Sequence, residues 1–89
     1  MEIDSLYFGE LRDITGVAKE AVSLEEGSRL LDLVNRLSEA HGKHFLLKLD
    51  LGNSHIILIN GQNHEVLGGK ETVLREGDRV VFLPISMGG

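Results

Sequence analysis

One stretch of this chain has the periodicity of an amphipathic helix, so most of the remaining core has to come from strands. Residues 29–41 carry apolar side chains at three- and four-residue spacing, which places them on one stripe of a helix: Leu30, Leu33, Val34 and Leu37. Ser28 is the predicted N-cap, because its hydroxyl can accept a hydrogen bond from a free amide of the first turn. The sequence therefore predicts one main helix whose apolar stripe packs against a sheet.

Segments rich in aliphatic and aromatic residues lie on both sides of this helix and predict short strands. Residues 2–8 and 20–24 are expected to form a hairpin, because sequential strands joined by a short connection usually pair. Residues 45–51 contain alternating leucines but run into polar residues, which predicts an irregular stretch or a short strand.

The second half of the chain predicts another hairpin and a last strand. The apolar run 56–59 leads into Asn60-Gly61, a strong signal for a two-residue hairpin turn, with the return strand expected over 64–67. After a tight turn over 74–78, residues 79–83 predict the last strand, and Pro84 should end its pairing because proline has no N–H. The prediction is a two-layer α+β domain in which one helix crosses a four- or five-stranded sheet.

Length, charge and cysteine content exclude several classes of protein. With 89 residues the chain is expected to form one domain, and without cysteine it has no disulfide, thiolate zinc site or cysteine nucleophile. Nine basic against 14 acidic residues give a net charge of −5, which argues against nucleic-acid binding. No apolar run is long enough to span a membrane and no signal peptide is recognisable, so we expect a cytoplasmic protein without a membrane partner.

Residues that could form a catalytic or metal site are scattered. His41 and His44 are spaced so that they could share a metal, but no third ligand is arranged with them, and surface histidines are the simpler interpretation. Glu76 and Asp78 flank a turn glycine, where acidic side chains usually bind local backbone. We expect no metal and no self-contained catalytic centre.

The strands carry apolar residues at both odd and even positions. One set is expected to face the helix: Ile3, Tyr7, Ile57, Ile59, Val80 and Phe82. Strand alternation then places a second set on the opposite face: Leu6, Phe8, Ile56, Leu58, Val81 and Leu83. Such an exposed apolar surface usually marks a partner interface. The alternatives are that loops cover it or that the register slips by one residue.

The chain ends in Gly88-Gly89, after a segment that follows Pro84 without any strand pattern. A terminus without side chains could enter a narrow active-site channel, and glycine lets a backbone approach a ligand closely. The reactive group would be the terminal carboxylate, which is ionised and a poor electrophile until another enzyme activates it. Fraying or an arbitrary chain end is the simpler reading.

Four segments together resemble a known family: residues 7–12 (YFGELR), 59–61 (ING), 76–80 (EGDRV) and 82–84 (FLP) leading to Gly88-Gly89. This pattern resembles the MoaD/ThiS family of ubiquitin-like β-grasp sulfur carriers, in particular its archaeal MoaD type. The resemblance implies a mixed β-grasp sheet over residues 1–84 and a flexible C-terminal tail over 85–89.

The resemblance also implies a function in molybdopterin biosynthesis, as the sulfur-carrying small subunit of a synthase. A MoeB-like enzyme would use ATP to adenylate Gly89, with Gly88 beside it, and sulfur would convert the terminus to a thiocarboxylate. A MoaE-like large subunit would then receive the tail. The chain itself would bind no cofactor. The residues that the resemblance assigns to partner binding are Phe8, Leu58, Val81, Leu83, Pro84 and Met87.

Two departures from the family pattern bear on the partner. The family often has two prolines before its tail, whereas here Ile85 follows Pro84, and residues 62–64 are more polar than is usual after the Asn-Gly turn. Two other functions stay open. One is a protein modifier joined through Gly89 to target lysines, and the other is a non-covalent β-grasp interaction module.

Overall fold

A computed structural model describes residues 1–50 and 55–85 of the chain. It contains a five-stranded sheet with the strand order β2-β1-β5-β3-β4. The strands are β1 (Glu2–Tyr7), β2 (Lys19–Ser23), β3 (His55–Ile59), β4 (Gln62–Asn63) and β5 (Arg79–Pro84). The helices are α1 (Glu10–Thr15), α2 (Leu30–His41), α3 (Lys43–Asp50) and α4 (His64–Leu67), followed by a 3-10 turn over Gly69–Glu71.

The sheet is mixed. The first two strands form the predicted antiparallel hairpin, β1 pairs in parallel with β5, and β5 pairs antiparallel with β3. The predicted fold class, an α+β ubiquitin-like β-grasp with one main helix across a mixed sheet, is confirmed. None of the helices among the described residues is long and apolar enough to cross a membrane.

The alternation of side chains along the strands follows the prediction. All six residues expected to face the helix are buried, and they join the α2 stripe in one core. Three aromatic rings fill its centre: Tyr7 stacks on Phe82 with centroids 5.8 Å apart, and Phe45 meets the two edge-on at 5.9 and 5.7 Å. The alternative of a one-residue register slip is therefore wrong.

The stretch predicted over 45–51 is helical as far as residue 50, where the description ends: α3 covers Lys43–Asp50 instead of a strand or an irregular segment. Phe45 is fully buried, and Leu46 and Leu49 pack against the core, a spacing that fits one face of a helix. Leu47 is exposed, so the alternation of leucines was misleading. Leu51 lies outside the described residues.

The return strand after Asn60-Gly61 is also shorter than predicted. The turn itself is present, with positive φ at both residues (50° and 86°), as the two-residue hairpin requires. The pairing stops after Gln62–Asn63, because the Asn63 side chain accepts a hydrogen bond from the Glu65 N–H at 2.9 Å and caps a helical turn. Residues 64–67 are therefore α4 rather than a strand.

Two smaller differences concern helix starts. The N-cap of α2 is Arg29 rather than Ser28, and the Asp32 carboxylate accepts a hydrogen bond from the Arg29 N–H at 2.8 Å. The short helix α1, which buries Leu11, was not predicted because two apolar side chains in six residues, Leu11 and Ile14, are too few to establish a period. The predicted division between a domain over 1–84 and a tail over 85–89 stays a prediction, since residues 86–89 lie outside the described part.

Phe82 and Leu83, which are adjacent in β5, test the assignment of strand residues to the two faces of the sheet. Phe82 is fully buried between Tyr7 and Phe45, whereas Leu83 is half-buried on the other face. We expect Phe82→Ala to lower the free energy of unfolding by about 3–5 kcal/mol, because it leaves a cavity in the core. Leu83→Ala, the matched control, should cost on the order of 1 kcal/mol. Urea denaturation measures both, and equal losses would contradict the assigned faces.

Candidate functional site: the outer face of the sheet

The face of the sheet that the helices leave uncovered carries an apolar surface. We call this surface the outer patch, and it consists of Leu6, Phe8, Ile56, Leu58, Val81 and Leu83. Phe8 is 45% exposed, and the other five side chains are half-buried. The alternative that loops cover this face is therefore wrong for Phe8, and the other five side chains are covered only in part.

The register brings the outer patch together across the three central strands. Val81 lies between Leu6 of β1 and Leu58 of β3, and Leu83 lies opposite Ile56 one step further along. Phe8 follows directly after β1, where continuing the β1–β5 register places it beside Leu83. Neighbouring side chains at such positions are in contact, which makes the patch continuous.

The end of this face at which β5 begins carries polar side chains instead. Asp4 pairs with Arg79 across β1 and β5, and the Asn60 side chain binds the Asp78 carboxylate at 2.9 Å and the Arg79 N–H at 3.0 Å. The apolar part is therefore confined to the end of the sheet towards which β5 runs. The chain leaves β5 at Pro84 from that same end.

Five of the eight predicted site residues can be placed. The structure brings Phe8, Leu58, Val81 and Leu83 into one surface, and it sets Pro84 at the edge of that surface, opposite His55 in β3. Met87, Gly88 and Gly89 lie outside the described residues. Leu6 and Ile56 belong to the surface as well, and strand alternation was the signal that found them.

The histidines do not converge on a metal site. His44 is exposed beyond the end of α2, whereas the His41 ring lies 6.2 Å from Tyr7 and 6.1 Å from Phe45, centroid to centroid. Within residues 1–50 and 55–85, no three metal-ligating side chains come close enough to hold an ion. His41 is packed against the core and is not the surface histidine that the sequence suggested.

Comparison with known protein families identifies the family of this chain. The sequence model of the ThiS family matches residues 5–89. The chain belongs to the ThiS family. The match includes every described strand except the start of β1, and it extends through the two C-terminal glycines.

Individual relatives cover the whole of this ThiS-family chain. The human protein named molybdopterin synthase sulfur carrier subunit is 28% identical over 88 residues, which is 99% of this chain and 94% of the human protein. The solution structure of the small archaeal modifier protein 1 from Methanosarcina acetivorans is 29% identical, with a TM-score of 0.77 over 99% of this chain and 96% of that one. A protein–protein complex of subunits 1 and 2 of molybdopterin-converting factor from Helicobacter pylori 26695 contains a chain that is 25% identical, with a TM-score of 0.66 and full coverage of both chains.

Three ionisable side chains connect the two layers of the domain on the side of the helices. The Tyr7 O–H donates to Oε2 of Glu20 at 2.5 Å, and the same oxygen lies 2.6 Å from Nε2 of His41 at the end of α2. Burial raises the pKa of Tyr7, and the hydrogen bond to the Glu20 carboxylate raises it further. This cluster ties β1, β2 and α2 together.

Tyr7 should make the stability of the domain fall at alkaline pH. Since the pKa of the phenol is raised by folding, its contribution is complete below the ordinary tyrosine value of about 10 and is lost as pH rises above it. Tyr7 is the only tyrosine in the sequence, so phenolate absorbance reports on it alone. We expect that absorbance to appear only as the protein unfolds.

The control is Tyr7→Phe, which keeps the stacked ring. Urea midpoints measured between neutral and alkaline pH should fall less steeply for this variant, although at neutral pH it should be less stable by about 1–2 kcal/mol because the hydrogen bond is gone. A phenol that titrates near its ordinary pKa in the folded protein would contradict the prediction.

Proposed function

We propose that this chain is a sulfur carrier, the small subunit of a molybdopterin synthase. The observation that carries the proposal is the placement of the outer patch at the end of β5, from which the sequence continues to Gly88-Gly89, in a chain whose family match includes those glycines. The name of the human relative supports the same function, since it describes a sulfur carrier subunit of this synthase.

The chemistry takes place at the C-terminal carboxylate of Gly89. A carboxylate is ionised at neutral pH and reacts poorly with nucleophiles. In the proposed reaction, an oxygen of the Gly89 carboxylate attacks the α-phosphorus of ATP on a MoeB-like enzyme, pyrophosphate leaves, and an acyl-adenylate forms. Sulfur at the oxidation level of sulfide (HS⁻) then attacks the carbonyl carbon, AMP leaves as the C–O bond breaks, and loss of the S–H proton yields the thiocarboxylate. ATP is bound by the activating enzyme, and the carrier needs no cofactor of its own.

The outer patch is the surface that docks on these enzymes. Isolated apolar side chains are common on protein surfaces, but a continuous group across three strands usually marks an interface. The Helicobacter pylori complex joins two subunits of a molybdopterin-converting factor, which supports a MoaE-like large subunit as one partner of this chain. Phe8, the most exposed member, and Leu83, nearest the end of β5, are the expected centre of contact.

A second function is favoured by the similarity to the small archaeal modifier protein. In that case the same acyl-adenylate would react with a lysine amine, AMP would leave, and an isopeptide bond would form at Gly89. Mass spectrometry of the protein from its native host separates the two functions. Exchange of one terminal oxygen for sulfur indicates a carrier, and Gly-Gly remnants on lysines of other proteins indicate a modifier.

Leu83→Asp tests the docking surface. The substitution places a charge in the outer patch but leaves the core untouched, so the domain should still fold, with a melting temperature lowered by roughly 4–8 °C for each kcal/mol lost at this half-buried position. Binding to the activating enzyme or to the large subunit should weaken by about 2 kcal/mol or more, as for central interface residues. Val66→Asp is the matched control, because Val66 in α4 is 78% exposed and lies outside the patch. Equal affinities of both variants in calorimetric titrations would rule out the patch as the docking surface.

The C-terminus provides the direct test of the function. Removal of Gly89, or addition of one residue after it, should leave the melting temperature nearly unchanged, because chain termini tolerate change well. Either change should abolish ATP-dependent pyrophosphate exchange by the cognate activating enzyme. Truncation leaves the carboxylate about 3.5 Å short of its target, and errors of about 1 Å can cost a hundredfold in rate. Equal exchange by all three proteins would mean that Gly89 is not the reactive end, for carrier and modifier alike.

A further inference from the structure

The last residue of β5 lies between two different neighbours. On one side Pro84 pairs with His55 of β3. On the other side β1 runs parallel to β5 with Tyr7 opposite Phe82, so two residues further along Gly9 comes beside Pro84. By then β1 has ended and the chain turns into α1, with Gly9 as the residue before the helix.

Gly9 and Pro84 are packed so closely that a side chain at position 9 would require the Pro84 ring to shift by a few tenths of an ångström. A Cβ atom built on Gly9 would lie 3.1 Å from Cγ of Pro84 and 3.6 Å from its Cβ, closer than the 3.5–4.0 Å of a normal carbon–carbon contact at its nearest point. The backbone at Gly9 also has φ 62° and ψ −136°, a conformation that residues with a side chain rarely adopt. The pyrrolidine ring therefore occupies the space that glycine leaves open.

An ion pair and two backbone hydrogen bonds fix the chain around Gly9. Its neighbour Glu10 forms an ion pair with Lys48 of α3, with 2.8 Å between carboxylate oxygen and ammonium nitrogen, and the hydrogen bond from Lys48 holds the pKa of Glu10 below its usual value. Backbone hydrogen bonds from the Arg12 and Asp13 N–H groups to the Gly9 carbonyl, at 3.1 and 3.3 Å, fix the same corner.

A proline at the end of a strand restricts the backbone angles with which the chain continues. Its ring sets φ near −65°, and it disfavours helical geometry for the residue before it, here Leu83. The ring lies against Gly9 on one side, and on the other side Pro84 pairs with His55 of β3, so the residue at which the chain leaves the sheet towards Ile85 has a neighbour on each side.

We propose that Gly9 is a positioning residue: it seats the Pro84 ring and thereby directs the C-terminal segment so that the Gly89 carboxylate reaches the ATP site of the activating enzyme. This inference rests on the proposed function. Gly9 acts through Pro84 and does not touch ATP or the reacting carboxyl group.

The test compares two glycines with positive φ, of which Gly9 at ψ −136° is the more restricted and Gly16 at ψ 2° lies in the left-handed helical region. Gly9→Val introduces a side chain into the Pro84 ring, whereas Gly16→Val puts the same side chain at φ 79° with no neighbouring atom within 4 Å of its Cβ. Both variants should melt at lower temperature, because valine disfavours positive φ. In pyrophosphate exchange, kcat should fall about tenfold or more for Gly9→Val. Its KM should stay within about twofold, because the outer patch is unchanged, and Gly16→Val should keep both constants near the wild-type values.

Pro84→Ala provides a second variant that does not depend on strain at position 9. It removes the ring from the same contact and should also lower kcat more than KM. Since Gly9→Val and Pro84→Ala break one contact, the double variant should lose less activity than the product of the two single effects, as is usual for residues in contact. If Gly9→Val does not fold, Pro84→Ala alone decides the outcome.

A measurement without the enzyme separates this inference from the proposed function. Residual dipolar couplings of the Ile85 amide report the direction of the chain after Pro84, and they should change in Gly9→Val and Pro84→Ala but not in Gly16→Val. Unchanged couplings in both variants would overturn the inference, as would unchanged kcat or a loss confined to KM. Absence of exchange with the wild-type chain, despite the expected couplings, would instead overturn the proposed function.

Discussion

The parallel pairing of β1 with β5 at the centre of the sheet is the contact on which the rest of the structure depends. It joins residues from the two ends of the chain, with Tyr7 opposite Phe82 and Leu6 opposite Val81. Bringing such distant segments together costs chain entropy, and the buried aromatic cluster of Tyr7, Phe82 and Phe45 is the favourable contribution that offsets it. With the register set there, each neighbouring strand residue is assigned to one of the two faces.

The apolar side chains on the two faces of the sheet differ in burial, because the helices pack on one face only. On the side of the helices, apolar side chains enter the core, and three polar groups there, those of Tyr7, Glu20 and His41, are bonded to each other. On the other side, apolar side chains stay partly accessible, against the usual alternation of apolar and polar residues in sheets with one solvated face. A continuous apolar surface that stays partly accessible is typical of an interface.

The same end of the sheet holds both the outer patch and the start of the C-terminal segment. β5 contributes Val81 and Leu83 to the patch and ends at Pro84. Under the proposed function, a partner docked on the patch would lie next to the residue at which the chain leaves the sheet, and β5 would couple docking to delivery of the terminus. The contact of Gly9 with Pro84 belongs to this arrangement, and no short motif in the sequence indicates it, because the two residues are 75 positions apart.

Local patterns in the sequence determined the helix stripe of α2, the turn at Asn60-Gly61 and the face to which each strand residue belongs, because these follow from the geometry of the backbone over a few residues. The sequence also contains the terminal Gly88-Gly89, on which the proposed chemistry depends. It did not reveal that residues 43–50 are helical or that 64–67 turn away from the sheet. Helices this short are marginal by themselves. The helix α3 forms where Phe45 finds a buried site, whereas α4 buries no residue and begins at the Asn63 cap. The strand order, the parallel pairing of β1 with β5 and the seat of Pro84 on Gly9 were decided only by the tertiary structure, since they depend on which distant surfaces meet.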